Sequence, residues 1–168
     1  MELETKILSR QLQELFYNNG KTLATAESCT GGRIAEAIIS IPGASNYFKG
    51  SIVSYTNDVK ERLLHVSHKV LEEQTAVSEE VAKEMVTGAC EALQSDYAVS
   101  ATGVAGPSGG TREIPVGTIW LGYGSKDDVR SFLLTEDNGR DLNLTIATNK
   151  VLRLLIDYLK EKNIGQQI

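Results

Sequence analysis

The 168-residue chain has 41% hydrophobic and 23% charged residues, which suits one folded domain with a continuous core. Its net charge of -5 argues against nonspecific binding to nucleic acid or to an anionic membrane, because both need a basic surface. No apolar run approaches the roughly 18 residues of a membrane helix, and the amino terminus does not resemble a signal peptide. We therefore expect a single domain over residues 1–168 that stays in the cytoplasm and binds a small molecule.

Cysteine and histidine usage gives no sign of a metal centre. Cys29 and Cys90 lie in different sequence contexts without C-x-x-C spacing, so neither a disulfide framework nor a zinc site is predicted, and both thiols are expected to be reduced. His65 and His68 have H-x-x-H spacing but no carboxylate or cysteine in ligand register. We interpret them as solvated surface residues and expect neither a metal nor an organic cofactor.

The first half of the chain is predicted to alternate helices and strands. Apolar periodicity and turn residues predict, in order, an opening helix that stops at Asn18-Asn19-Gly20, a strand over 21–27, a helix over 33–41 and a strand over 51–55. Ser28 therefore lies where a strand turns into a helix. Asn57 is a candidate N-cap for a further short helix, which places Lys60 in the first turn of that helix.

The second half is predicted to begin with a helix that Ser78 caps and that ends near Gln94. It continues with strands over 97–101, 116–123 and 129–135 and a final helix marked by Val151, Leu154, Leu155 and Tyr158. This order predicts an α/β fold, a three-layer α/β/α sandwich around a mixed, mostly parallel central sheet.

Three polar segments follow predicted strands and are candidates for one ligand site. They are Ser28, residues 56–60 and the glycine-rich residues 102–110. Ligand sites in such sheets gather at the carboxyl ends of the strands, so the three segments meet if their strands are parallel.

The glycine-rich loop does not carry a nucleoside triphosphate motif. It lacks the lysine of a GxxxxGK[ST] phosphate loop, and the chain has no GxGxxG. Its backbone N–H groups, with Ser108 and Thr111, could form an anion nest for a single phosphate, to which Arg112 and Arg140 add charge. A plain connecting turn is the alternative.

Ser28 has the surroundings of either a nucleophile or a helix cap. A hydrolytic serine needs a base and hydrogen-bond donors for the developing oxyanion. The backbone N–H groups of Thr30, Gly31 and Gly32 open a helix and could supply those donors. Cys29 is the rival nucleophile, although a small buried thiol suits its context as well.

Lys60 is the candidate base, because the two histidines are better explained as surface residues. A lysine in the first turn of a helix opposes the helix dipole, and burial would lower its pKa further towards the range that suits proton transfer. The alternative is an ordinary solvated lysine.

Several linked motifs, taken together, resemble the carboxy-terminal domain of the CinA (competence and damage-inducible) family. They are A-E-S-C-T-G-G at 26–32, G-S-I-V-S-Y-T-N-D-V-K at 50–60, A-V-S at 76–78, T-G-V-A-G-P-S-G-G-T at 102–111 and P-V-G-T at 115–118. The resemblance implies a nicotinamide-nucleotide amidohydrolase, which converts nicotinamide mononucleotide to nicotinate mononucleotide and ammonia. It implies Ser28 as nucleophile, Lys60 as its basic partner and Tyr55 as a third catalytic residue. The substrate-binding residues that it implies are Thr30, Gly31, Gly32, Asn57, Thr102, Gly103, Gly106 and Arg140.

Two positions depart from that family pattern. Many members carry a lysine where this chain has Ile114, and a second arginine one helical turn beyond Arg140 where this chain has Leu144. Both changes remove positive charge that could grip a phosphate. A nucleotide-binding module without turnover and an amidase for a different substrate therefore stay open, as does assembly into a homo-oligomer.

Overall fold

The computed structural model describes residues 1–165, which form a five-stranded sheet between two layers of helices. Its elements are α1 (Leu3–Phe16), β1 (Leu23–Glu27), α2 (Arg33–Ile39), a 3-10 turn (Ala44–Asn46), β2 (Phe48–Val53), α3 (Asn57–Leu64), α4 (His68–Gln74), α5 (Glu79–Leu93), β3 (Tyr97–Gly103), β4 (Ile119–Ser125), β5 (Asp128–Leu134) and α6 (Arg140–Glu161).

The sheet is mixed and mostly parallel, as the element order predicts. Its strand order is β2-β1-β3-β4-β5, in which β1 is parallel to both of its neighbours while β4 is antiparallel to β3 and to β5. Four of the five strands therefore run in one direction. Glu27 lies opposite Val53 on one side and Ala101 on the other. The segments that follow β1, β2 and β3 thus leave the sheet side by side.

Two hydrophobic cores hold the three layers together. Helices α1, α2 and α6 pack on one face of the sheet, and α3, α4 and α5 lie on the other. Strand β1 is buried along its whole length because helices cover both faces of the sheet and a strand flanks it on each side. None of the helices within residues 1–165 combines the length and the apolar character that crossing a bilayer requires.

Helix α6 begins eleven residues before the apolar pattern around Val151 that marks it in the sequence. Its first turns carry Asn143 and Thr148, residue types with low helix propensity. A tertiary contact compensates at Asn143, whose side chain donates to the carbonyl of Ala105 at 3.1 Å, and the Thr148 hydroxyl donates within the helix to the carbonyl of Leu144 at 2.8 Å.

The structure corrects one expected helix start, at α3, confirms another, at α5, and adds a helix between them. The N-cap of α3 is Thr56, whose hydroxyl accepts from the N–H of Val59, and Asn57 is the first helical residue. The polar stretch after α3, for which the sequence predicts no helix, forms α4. Ser78 caps α5 as predicted, accepting from the N–H of Val81 at 3.3 Å.

Candidate active site

Glu27, the last residue of β1, anchors the turn that follows it. The side chain is fully buried, and its Oε1 accepts hydrogen bonds from the backbone N–H groups of Gly32 at 3.1 Å and Ile34 at 2.9 Å. Its Oε2 accepts from the N–H of Ala35 at 3.0 Å and from the Ser51 hydroxyl at 3.2 Å. The carboxylate thereby satisfies the free N–H groups at the start of α2, which the N-cap glycine cannot do with a side chain.

Ser28 and Lys60 meet at the floor of a surface cavity. The N–H of Ser28 donates to the carbonyl of Ala101 at 2.9 Å, which holds Ser28 beside the end of β3. Lys60 reaches in from α3 and places Nζ 2.9 Å from Ser28 Oγ and 2.9 Å from the carbonyl oxygen of Ser54. Only 8% of Ser28 and 1% of Lys60 are exposed. The two side chains are therefore in hydrogen-bond contact and largely shielded from water.

Burial shifts the pKa values of the two titratable side chains beside the Ser28 hydroxyl, Lys60 and Cys29. Burial lowers the pKa of Lys60, and the neighbouring Cys29 opposes this effect. The lowered pKa is in the direction that a neutral amine base requires. Burial raises the pKa of the Cys29 thiol to about 12, so this thiol is protonated at neutral pH. Because the thiolate is the reactive form of cysteine, the environment favours Ser28 over Cys29 as nucleophile.

The expectation that Gly31 and Gly32 offer free N–H groups to a ligand is wrong. The N–H of Gly31 donates to the carbonyl of Ser28 at 3.1 Å, and the N–H of Gly32 is bound to Glu27. Neither glycine lines the cavity, and nor does Thr30. On this turn, the N–H groups of Cys29 and Thr30 have no oxygen acceptor within residues 1–165, and both interact with the Cys29 sulfur.

The opposite wall of the cavity is the glycine-rich loop after β3, held by side chains from the start of α6. Arg140 donates from Nη1 to the carbonyl of Gly106 at 2.8 Å, and Asn143 donates to the carbonyl of Ala105. Gly106 has φ of +82°, and a Cβ at this position would overlap the side chain of Val116. Glycine is therefore required here both by its backbone conformation and by the close packing of the loop.

Three further predicted residues complete the cavity. Thr102 at the end of β3 donates its hydroxyl proton to the carbonyl of Ala76 at 2.7 Å, which ties the start of the loop to the segment before α5. Tyr55 and Asn57 are exposed at the opening. The cavity measures about 290 Å³, which is a volume suited to a small ligand.

Most of the predicted site residues come together in this cavity. It is lined by Ser28, Tyr55, Asn57, Lys60, Thr102, Gly103, Gly106, Ser108 and Arg140. Thr111 and Arg112, which are candidates for an anion nest in the sequence, do not line it. Sequence reasoning missed Glu27 and the carbonyl of Ser54. A carboxylate that ends a buried strand just before a glycine-capped helix is the signal that could have found Glu27.

Ile114 and Leu144, the two departures from the family pattern, both lie outside the cavity. Leu144 lies in the hydrophobic core at 3% exposure, because the helix face that carries Arg140 enters the core one turn later. Ile114 is half-buried and, like Leu144, does not line the cavity.

The histidines lie on the surface, as expected. His65 is exposed at the end of α3, and His68 is exposed on α4 between the carboxylates of Glu61 and Glu72. These carboxylates raise the pKa of His68, chiefly through its hydrogen bond to Glu61. Within residues 1–165, no group of three or more His, Cys, Asp or Glu side chains is arranged to hold a metal ion.

The fold and the site together define an α/β/α protein with a buried serine–lysine pair at the carboxyl edge of its parallel strands. The chain belongs to the CinA C-terminal domain family, whose model matches residues 5–159.

Relatives and solved structures agree with this assignment. A CinA-like protein of Petrotoga mobilis is 48% identical over 157 residues, which make up 94% of this chain and 39% of that protein. A CinA-like protein of Endomicrobium trichonymphae is 50% identical over 153 residues, or 90% of this chain and 35% of that protein. The chain thus spans less than half the length of these relatives.

Solved structures of similar length have the same fold. The crystal structure of the competence/damage inducible protein CihA from Agrobacterium tumefaciens has a TM-score of 0.88 at 34% identity and covers 94% of this chain and 98% of its own. A CinA superfamily protein from Escherichia coli has a TM-score of 0.84 at 33% identity and covers 93% of this chain and 88% of its own.

Proposed function

We propose that this chain hydrolyses the carboxamide of nicotinamide mononucleotide to nicotinate mononucleotide and ammonia. The substrate is the one that the motifs shared with the CinA family imply. The observation that carries the chemistry is the 2.9 Å contact between Lys60 Nζ and Ser28 Oγ. A serine becomes a useful nucleophile at neutral pH when a neighbouring base takes its proton, and this contact supplies the base.

The carbonyl of Ser54 orients the lysine amine. A carbonyl oxygen can only accept a hydrogen bond, so Lys60 must donate one N–H to it across their 2.9 Å contact. A neutral amine has a single lone pair, and with one N–H committed to Ser54 this lone pair can face the Ser28 hydroxyl. The arrangement therefore favours proton transfer from Ser28 to Lys60.

The reaction then proceeds as two acyl transfers. Ser28 Oγ attacks the carboxamide carbon while its proton passes to Lys60 Nζ, and Lys60 returns that proton to the departing nitrogen as the C–N bond breaks and ammonia leaves. A water molecule attacks the resulting ester, giving one proton to Lys60, which passes it to Ser28 Oγ as the ester C–O bond breaks. The balance is one amide and one water converted to one acid and one ammonia.

In the proposed reaction, the N–H of Cys29 donates to the oxyanion. It directly follows the nucleophile, its residue lines the cavity, and it has no oxygen acceptor within residues 1–165. A donor that is fixed before the reaction and points to the developing charge lowers the barrier by about 3 kcal/mol. This assignment replaces Gly31 and Gly32, whose N–H groups are already occupied.

The loop after β3 and Arg140 form the side of the cavity that suits a phosphate. Gly106, Ser108 and Gly109 contribute backbone there, and the remaining guanidinium N–H groups of Arg140, which have no partner among residues 1–165, can bind an oxyanion. The nucleotide phosphate would lie against this wall, with the carboxamide at Ser28.

Ammonia release from nicotinamide mononucleotide by the purified chain tests the proposal. We expect turnover by the wild type and loss of at least about 1000-fold in Ser28→Ala, since the covalent route is then closed. Ser131→Ala, the same substitution at a serine on β5, serves as the control and should retain full activity. Binding of the nucleotide without turnover by the wild type would favour a sensing module, and turnover of other amides alone would favour a different amidase.

A further inference from the structure

Tyr55 is an aromatic residue in an unusual position. Its side chain is 62% exposed at the opening of the cavity that contains Ser28 and Lys60. Within residues 1–165 its ring has no aromatic or cationic partner, and its hydroxyl has no hydrogen bond. Packing therefore does not explain why an aromatic side chain stands at this point.

The charges around the cavity limit how it can bind a ligand. Its lining within the described residues includes two basic side chains, Lys60 and Arg140, but no aspartate or glutamate, and Tyr55 is its only aromatic residue. A ligand with a phosphate fits this pattern. A ligand that also carries a positive charge has no carboxylate there to pair with.

A lining without a carboxylate suits the role of Lys60 as the proposed base. A carboxylate beside Lys60 would stabilise its protonated form and so remove the base. An aromatic face attracts a cation through its quadrupole but carries no charge. An aromatic ring at the opening can therefore bind a cationic ligand without protonating the lysine.

We propose that Tyr55 is a specificity residue whose ring face binds the positively charged, flat pyridinium ring of the substrate. The site would then select cationic heteroaromatic amides over neutral aromatic amides of the same shape. This inference rests on the proposed function, because it assigns the reacting carboxamide to a pyridinium ring. It gives Tyr55 a role through its ring and not through proton transfer by its hydroxyl.

The test compares nicotinamide mononucleotide with benzamide riboside 5′-monophosphate, which has the same carboxamide, sugar and phosphate on an uncharged ring. The readout is the ratio of kcat/KM for the cationic substrate to kcat/KM for the neutral one. The intrinsic reactivities of the two amides differ, but this difference cancels when the ratio in a variant is divided by the ratio in the wild type.

We expect Tyr55→Leu to lower the ratio about fivefold, which is the discrimination that a cation–π contact supplies at a partly exposed site. Tyr55→Phe keeps the ring face and should keep the ratio. Tyr17→Leu, at an exposed tyrosine on the end of α1, is the matched control and should leave the ratio unchanged.

An equal loss on both substrates in Tyr55→Leu would overturn the inference, because the residue would then act through its shape. A changed ratio in Tyr55→Phe would also overturn it, because the hydroxyl would then be responsible. If the wild type releases ammonia from neither substrate, the proposed function fails. The ratio of the two dissociation constants, measured by calorimetry on the same variants, then decides the role of Tyr55 by itself.

Discussion

The two walls of the cavity are built in different ways. The catalytic wall, which we name for the proposed roles of Ser28, Cys29 and Lys60, is buried, and its turn is held by the Glu27 carboxylate and by backbone pairing to β3. The loop wall, residues 103–110 with Arg140, is exposed over 107–110 and is held by side chains from a helix more than 30 residues away. Under the proposed function, the chemistry therefore depends on a turn held by local contacts, whereas ligand recognition depends on how α6 positions a loop.

The largest expected effect comes from Lys60→Arg in the catalytic wall. Arginine stays positively charged in a protein, so it cannot accept the Ser28 proton as a neutral lysine can. We expect kcat/KM for nicotinamide mononucleotide to fall about 1000-fold, as the loss of a general base predicts. Lys69→Arg, at an exposed lysine on α4, is the control. Activity of Lys60→Arg within tenfold of the wild type would remove Lys60 from the mechanism.

Glu27→Ala tests whether the Glu27 carboxylate stabilises the turn that carries the catalytic wall. The substitution leaves three backbone N–H groups and two hydroxyls without their acceptor in a buried site. We expect the free energy of unfolding, measured in urea, to fall by about 3 kcal/mol. A decrease below about 0.5 kcal/mol would mean that the turn does not depend on this carboxylate.

Arg140→Ala tests the recognition role of the loop wall. A charged hydrogen bond to a phosphate contributes about 1.5–3 kcal/mol, so KM for the nucleotide should rise about 10- to 100-fold while kcat changes little. Nicotinamide riboside, which lacks the phosphate, should be hydrolysed equally well by the variant and the wild type. Arg153→Ala, which removes a surface ion pair with Glu4, is the matched control. Equal losses on riboside and nucleotide would contradict phosphate recognition by Arg140.

The smallest expected effect is a gain in stability from Lys60→Met. Burial lowers the pKa of Lys60 in the folded state below its ordinary value of 10.5, so the unfolded state binds more protons and wild-type stability rises with pH up to that value. Methionine removes this penalty, and we expect the variant to be more stable by about 1 kcal/mol at pH 7. In urea titrations the difference should shrink as the pH approaches 10.5. A difference that is constant with pH would contradict a neutral buried amine.

Much of the fold and most residues of the candidate site could be predicted because short stretches of sequence specify them. The strand that ends at Glu27 and the helix that starts at Arg33 are short, strongly patterned segments, so Ser28 was expected at their junction. Parallel pairing then brought the segments after three strands to one edge, as the general rule for α/β sheets predicts.

The predictions that failed concern features that depend on tertiary contacts. The N–H group of Gly32 is occupied because a side chain five residues earlier folds back onto it, an arrangement that the hydroxyl of Ser51 from another strand supports. Leu144 lies on the helix face of Arg140, and only the packing of α6 decides that one side chain reaches the cavity and the other the core. Sequence spacing specifies the face of a helix, but not where along its length that face becomes buried.

Locating the acyl group during turnover tests the central claim most directly. The wild type is mixed with excess nicotinamide mononucleotide, quenched in acid within milliseconds to seconds, and analysed by intact mass and peptide mapping. We expect a nicotinate mononucleotide ester on Ser28 in the peptide that also contains Cys29, and no such adduct in Ser28→Ala. An adduct on Cys29 that persists in Ser28→Ala would contradict the account, since the thiol and not the buried serine–lysine pair would then be the nucleophile.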